Sequence, residues 1–179
     1  GLINPVLPNI TAGVMFKLSE HLLLELQGGY IYSYMPAEYT LYEKEKQHGF
    51  KTNLEFKYVF EDGYYTSLQV FYNRYTKEKN EFFGRNALTY QELISVEKQI
   101  NTYVGHLKAG VIFPIIDRKL IFDVYGGFGI RYKMVSMLSI LPEDATLIER
   151  RGVSFSTDNV GNQLYPSLTA GFSLGYILK

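Results

Sequence analysis

Uncharged and polar residues alternate along most of the chain. Between Leu22 and Tyr34, the series Leu22, Leu24, Leu26, Gly28, Tyr30, Tyr32 and Tyr34 carries no charge. The intervening Leu23, Glu25, Gln27, Gly29, Ile31 and Ser33 are mostly polar or small. A period of two predicts a β-strand, because successive side chains point to opposite faces of a sheet. The same alternation predicts strands over 10–18, 50–60, 64–76, 98–113, 120–133 and 165–178. Most of these exceed the usual strand length of about 5–6 residues. Ser19-Glu20-His21, Glu61-Asp62-Gly63 and the segment 114–119 read as short connections, the second with an Asp-Gly hairpin signal. The stretches at about 35–48, 77–97 and 134–164 read as long loops, polar and charged except for the apolar run Met134–Leu141. Short and long connections alternate, which is the rhythm of an up-and-down antiparallel meander, here one domain over 1–179.

Periodicity does not say which face is outside; volume does. The seven uncharged stripes hold roughly forty residues, about seventeen of them Phe or Tyr, too many rings for the interior of an eight-stranded barrel, which ordinary side chains already fill. The opposite face is rich in Gly, Ser, Thr and Asn with interspersed Lys and Glu, which suits a narrow interior. The uncharged face is therefore expected to meet lipid, and each strand is long enough, since about 9–11 tilted residues cross the hydrocarbon. Unpaired backbone groups in lipid would each cost several kcal/mol (about 2–7), so the sheet is expected to close. Large rings gather towards the strand ends. Tyr30, Tyr32, Tyr34, Tyr72, Tyr103 and Tyr132 lie at the long-loop end, and Tyr58, Phe60, Phe113 and Tyr176 at the short-turn end. Two aromatic girdles are the expectation. The fold class is thus an all-β, up-and-down antiparallel transmembrane β-barrel. Seven strands are clear. Membrane barrels commonly have an even strand number, so an eighth is expected, either within 1–8 or missing from this sequence.

Composition narrows the chemistry. Lysine plus arginine equals aspartate plus glutamate at 18 each, so no basic surface for nucleic acid is expected. The absence of cysteine removes disulfides, thiolate metal sites and cysteine nucleophiles. No apolar run approaches the length of a transmembrane helix. No signal peptide is visible, so the sequence reads as a mature or trimmed chain.

The predicted interior holds Lys17, Glu25, Gln27, Lys51, Glu55, Lys57, His106, Lys108, Asp123 and Arg131. Buried charges must pair, so these predict an ion-pair and hydrogen-bond plug. A carboxylate group of Glu25, Glu55 and Asp123 would be neutralised by the neighbouring lysines rather than serve acid–base chemistry. His21 and His48 fall at opposite ends from each other and away from His106, so no histidine metal site forms. Gly126–Gly129 sits in a strand with no helix after it and is no phosphate loop. No catalytic residue, metal or cofactor is expected. Phe82-Phe83 and 134–141 are apolar for exposed loops, and would cover one another or bind a partner. Arg74, Lys77, Lys79 and Arg85 would face lipopolysaccharide phosphates, although Glu78 and Glu81 stand among them.

The segment Thr169-Ala170-Gly171-Phe172-Ser173-Leu174-Gly175-Tyr176 resembles the C-terminal signal of bacterial outer-membrane barrels. Thr169, Gly171, Leu174 and Tyr176 carry the pattern, and the chain continues past the aromatic with Ile177-Leu178-Lys179. The stretches NPVLPNITAGVMFKL, LLLELQGGYIY, FKYVFEDGYYTSLQVFYNRY and LIFDVYGGFGIRYK make the whole chain similar to the small outer-membrane β-barrels of the Bacteroidota, with the plan of OmpA- and OmpX-type barrels. That resemblance implies residence in the bacterial outer membrane, long loops extracellular and the C-terminus periplasmic. It implies contact with outer-membrane lipid, lipopolysaccharide and the barrel-insertion machinery. The family mostly lacks an assigned activity. The expected function is a structural or accessory subunit of an envelope complex, binding another envelope protein through its loops. The alternatives are a narrow pore or transporter for small solutes and a soluble lipocalin-like carrier.

Overall fold

A computed structural model describes residues 9–35, 45–86, 88–115, 120–147 and 160–176. The alternation becomes seven long strands, β1 (Asn9–Lys17), β2 (Leu22–Met35), β3 (Glu45–Val59), β4 (Tyr64–Arg85), β5 (Tyr90–Pro114), β6 (Leu120–Met137) and β8 (Gly161–Tyr176), with a short β7 (Thr146–Leu147). Each long strand pairs antiparallel with its sequence neighbour, in the order β1-β2-β3-β4-β5-β6-β8, and β7 adds to β4. No helix occurs among the described residues. The Phe60–Gly63 turn closes through Gly63 N–H to Phe60 carbonyl at 3.1 Å, with Gly63 at φ 80°, a conformation that favours glycine.

The sheet curls. Adjacent strands lie about 4.8 Å apart, so β3 and β6 in a flat sheet would stand roughly 14 Å apart. Instead Lys57 of β3 reaches Asp123 of β6 at 2.8 Å, and His106 of β5 reaches Ser167 of β8 at 2.9 Å. The concave face carries the polar series. The convex face carries the uncharged one, and it is the exposed one: Leu26, Leu54, Leu107, Phe128, Ile130 and Leu168 all stand open, and Phe172 is 73% exposed.

The expected closure is not seen among the described residues. Among the described residues β1 and β8 do not pair, so the sheet is open where a closed barrel was expected. Seven long strands alternate in direction, so β1 and β8 run the same way and cannot complete an antiparallel ladder with each other. The expected first strand within 1–8 lies outside the described residues.

The long loops depart from the expectation. The segment expected as a loop at 77–97 is mostly strand. β4 and β5 stay in register from Tyr64↔Val111 to Arg85↔Tyr90, and only the tip turns, with Asn86 and Leu88 at positive φ. Charged residues do not interrupt the ribbon, because a paired ribbon needs backbone partners rather than an apolar stripe. Similarly β3 begins at Glu45 inside the predicted 35–48 loop, and β6 runs to Met137, β7 forms and β8 starts at Gly161 inside the predicted 134–164 loop. Residues 36–44 and 148–159 of those two segments lie outside the described ones.

Candidate functional site

The concave face is the chemical centre of the molecule, and register decides what meets there. Glu25 of β2 pairs across from Glu55 of β3, which pairs across from Gln69 of β4 and then His106 of β5. Two carboxylates side by side require cations, and the next level supplies Lys57 and Lys108. Lys57 Nζ lies 2.8 Å from Glu25 Oε2 and 2.8 Å from Asp123 Oδ2. Lys108 Nζ lies 2.8 Å from Glu55 Oε2. Tyr65 donates its hydroxyl to Asp123 Oδ1 at 2.8 Å, and Ser67 donates to Glu55 Oε1 at 2.6 Å. Lys108 also sits 3.7 Å from the centre of the Tyr125 ring, a cation–π contact. Lys57 is only 1% exposed, and Glu55, Asp123 and Lys108 are also buried. Every charge in this cluster has an opposite charge in contact, the condition under which buried ions are tolerated.

A second group lies beside it. His106 Nδ1 faces Gln69 Oε1 at 3.4 Å, and Nε2 faces Ser167 Oγ at 2.9 Å. Arg131 Nη2 donates to the same Ser167 Oγ at 3.2 Å, and Gln69 Nε2 donates to Glu55 Oε2 at 3.4 Å. These partners assign Nδ1–H as a donor and Nε2 as an acceptor. The result is one chain of hydrogen bonds from Arg131 through Ser167, His106 and Gln69 to Glu55. Lys51 rests over the Phe71 ring at 5.3 Å, and that ring packs on His106 with centroids 5.6 Å apart. Gln27 donates to Glu25 and accepts from Asn53 Nδ2 at 3.2 Å. Arg131 Nε is buried without a hydrogen-bond partner.

Lys17, expected with these residues, stands apart from them. It is exposed, like Ile10 to Phe16 of β1, because among the described residues β1 has a neighbour on one side only. Among the described residues it makes no ion pair.

Above the polar groups lies a layer that alternation alone does not reveal. Ile31, Tyr75, Ile100 and Val135 occupy one register level on β2, β4, β5 and β6, and pack together as a buried apolar cluster. Each strand contributes one residue, so no single stretch of sequence announces it.

On the convex face, Tyr72, Tyr103 and Tyr132 share one register level, with the Tyr72 and Tyr103 rings 4.8 Å apart. Tyr30, Tyr32, Tyr58, Phe60 and Phe113 are exposed there. Tyr58 packs edge-on against Phe60 at 5.2 Å and stacks with His21 at 5.8 Å. The side chains of Tyr34 and Tyr176 lie outside the described residues. Within the terminal segment, Leu174 is exposed, and Gly171 leaves room for Tyr125, whose hydroxyl would stand 2.8 Å from an added Cβ.

At the far end of the β4–β5 hairpin, Arg85 Nε faces Asp144 Oδ1 at 2.9 Å and Arg85 Nη1 faces Glu92 Oε2 at 2.5 Å. Asn86 N–H also donates to Asp144 at 3.1 Å. The guanidinium and the Asn86 amide hold the Asp144 carboxyl below its ordinary range. Phe83 is buried at this end, whereas Leu138 and Ile140 are exposed. Arg85 is thus already engaged by carboxylates, and Arg74 bonds Gln99.

Among the described residues no group of His, Asp and Glu is arranged to hold a metal ion. The chain matches no protein-family model, no curated protein and no solved structure.

Proposed function

We propose that this protein is an integral β-barrel of the bacterial outer membrane, completed by an eighth strand. In this reading it serves as a structural or accessory subunit of an envelope complex. One observation carries the reading: the polarity of the sheet is inverted. Its uncharged, ring-bordered face is exposed, and its ion pairs are buried. A water-soluble domain rarely leaves so large an apolar surface open, whereas a membrane barrel needs one. A lipocalin-like carrier would turn the same face inward. The parity of the strands supports the eighth, since one more strand between β1 and β8 makes every pair antiparallel.

The buried side favours a plug over a pore. The paired cluster of Glu25, Glu55, Lys57, Lys108 and Asp123 and the apolar layer of Ile31, Tyr75, Ile100 and Val135 both fill the concave face. The β4–β5 hairpin and the segment clamped to it by Asp144 are the surface offered to another envelope protein, with exposed Ile140 beside it.

Fractionation of membranes tests location: the protein should sediment with the outer membrane, resist carbonate extraction and run faster on gels unheated than boiled. Recovery in the soluble fraction as a monomer overturns the reading. Planar-bilayer recording tests the plug: no stable single-channel steps are expected, and their appearance in pure protein would favour the pore. A detergent pull-down from native membranes that yields no stoichiometric companion counts against the accessory role.

A further inference from the structure

Among the described residues no strand lies beside the outer edge of β1 or of β8, and these two edges share a feature that says what fits between them. The concave-facing residues of β1 are Thr11, Gly13, Met15 and Lys17, and those of β8 include Ser167, Thr169, Gly171 and Ser173. They are mostly small, and none is acidic. Small residues on both sides leave space for larger side chains from a strand between them, as interiors of narrow barrels alternate small and large.

Charge points the same way. The carboxylates Glu25, Glu55 and Asp123 are already taken by Lys57, Lys108, Tyr65 and Ser67. Two cations near the gap have no carboxylate among the described residues. Lys17 lies on the β1 edge itself. Arg131 lies on β6, next to the β8 edge, with Nε buried and unsatisfied and a neutral hydroxyl as its hydrogen-bond acceptor. Closing the gap would bury both, and a buried unpaired charge is not tolerated.

We propose that the occupant of the gap is a single extended segment, antiparallel to both β1 and β8, with apolar residues on the convex side and carboxylates among its concave-facing residues, placed to pair with Lys17 and Arg131. This rests on the closed-barrel reading above and adds the chemistry of the closing strand. Main-chain hydrogen bonds to two free edges supply affinity, and the alternate side chains supply selectivity, the logic of strand addition.

The test uses the full chain refolded in detergent micelles and three synthetic eleven-residue strands. All three share the same apolar outward residues and carry Glu, Gln or Lys at the inward positions. Hydrogen exchange across Asn9–Lys17 and Gly161–Tyr176 reports edge pairing, and calorimetry reports affinity and stoichiometry. The Glu peptide should bind one to one, protect both edges, and bind about tenfold more tightly than the Gln peptide, with the Lys peptide weakest. Lys17→Gln combined with Arg131→Gln should remove the preference while leaving edge protection by the Gln peptide in place. Equal binding of the three peptides overturns the charge assignment and leaves closure standing. Failure of all three to protect either edge overturns closure itself. Edge protection that grows with protein concentration in the absence of peptide identifies a second copy as the occupant and overturns the proposal.

Discussion

Lys57→Met is the sharpest probe of the buried cluster. The substitution keeps most of the side-chain volume and removes one charge. In the native arrangement that charge touches two carboxylates, each at 2.8 Å, with side-chain exposure of 2% for Lys57, 12% for Glu25 and 5% for Asp123. Removing one partner of a buried ion pair costs about 3–5 kcal/mol, because the other charge stays buried and uncompensated. Here two carboxylates are orphaned, although Asp123 keeps the Tyr65 hydroxyl and Glu25 keeps Gln27. The two effects offset in part, so about 4 kcal/mol is the expected loss. Adding Glu25→Gln and Asp123→Asn to Lys57→Met removes the stranded charges and should restore most of the stability, to within about 2 kcal/mol of the parent. Lys46→Met serves as the control: its pair with Glu78 is 3.8 Å long and nearly half-exposed on both sides, and should cost less than about 1 kcal/mol. Urea unfolding followed by circular dichroism in micelles or vesicles measures all three. If Lys57→Met costs no more than Lys46→Met, or if the triple variant is no better than the single one, the cluster does not hold the concave face together.

Other expectations follow from single residues. Leu107→Arg places a charge on the exposed convex face; in lipid it should cost about 2–4 kcal/mol, whereas in a water-exposed position the change would stay within about 0.5 kcal/mol, so unfolding in vesicles separates the two. Gly129→Ala should lower stability by about 3 kcal/mol by overpacking, since an added Cβ would lie 1.8 Å from the Gly105 carbonyl oxygen; Gly126→Ala, with nothing nearer than 4.0 Å, should be nearly neutral in the same assay. Asp144 has its proton affinity depressed by Arg85 and the Asn86 amide. Its clamp should therefore be complete above the ordinary carboxylate value of 3.8 and be lost as pH falls through its lower folded value. Asp144→Asn should mimic that loss at neutral pH, seen as faster hydrogen exchange at Asn86, and unchanged exchange would refute the clamp.

Strand positions and faces were legible because a period of two, repeated in seven stretches, leaves little freedom. Once Leu22–Tyr34 is a strand, Glu25 and Gln27 must share a face, and they do. Pair identities were not legible. That Lys57 meets Asp123 while Lys108 meets Glu55 depends on register and curl, which no local pattern encodes. The layer of Ile31, Tyr75, Ile100 and Val135 was hidden for the same reason. The ribbon through 77–97 is not legible in the sequence, because polar residues on both faces carry the pattern of a loop although its backbone pairs without a break. Alternation puts Lys17 inside only if β1 has a neighbour on each side, and among the described residues it has one.

The β4–β5 ribbon has a further consequence. Beyond Tyr72↔Tyr103 it continues for thirteen register pairs, from Asn73↔Thr102 to Arg85↔Tyr90. At about 3.3 Å per residue the ribbon reaches roughly 40 Å past that tyrosine belt, more than the thickness of a bilayer's hydrocarbon. On the outer-membrane reading, such an arm carries its tip through the sugar layer that screens shorter loops. It is also a lever. Force applied at Arg85 would travel down paired backbone to the level of His106 and Glu55, so a cell that pulls on this protein from outside would be pulling on its ion-paired interior.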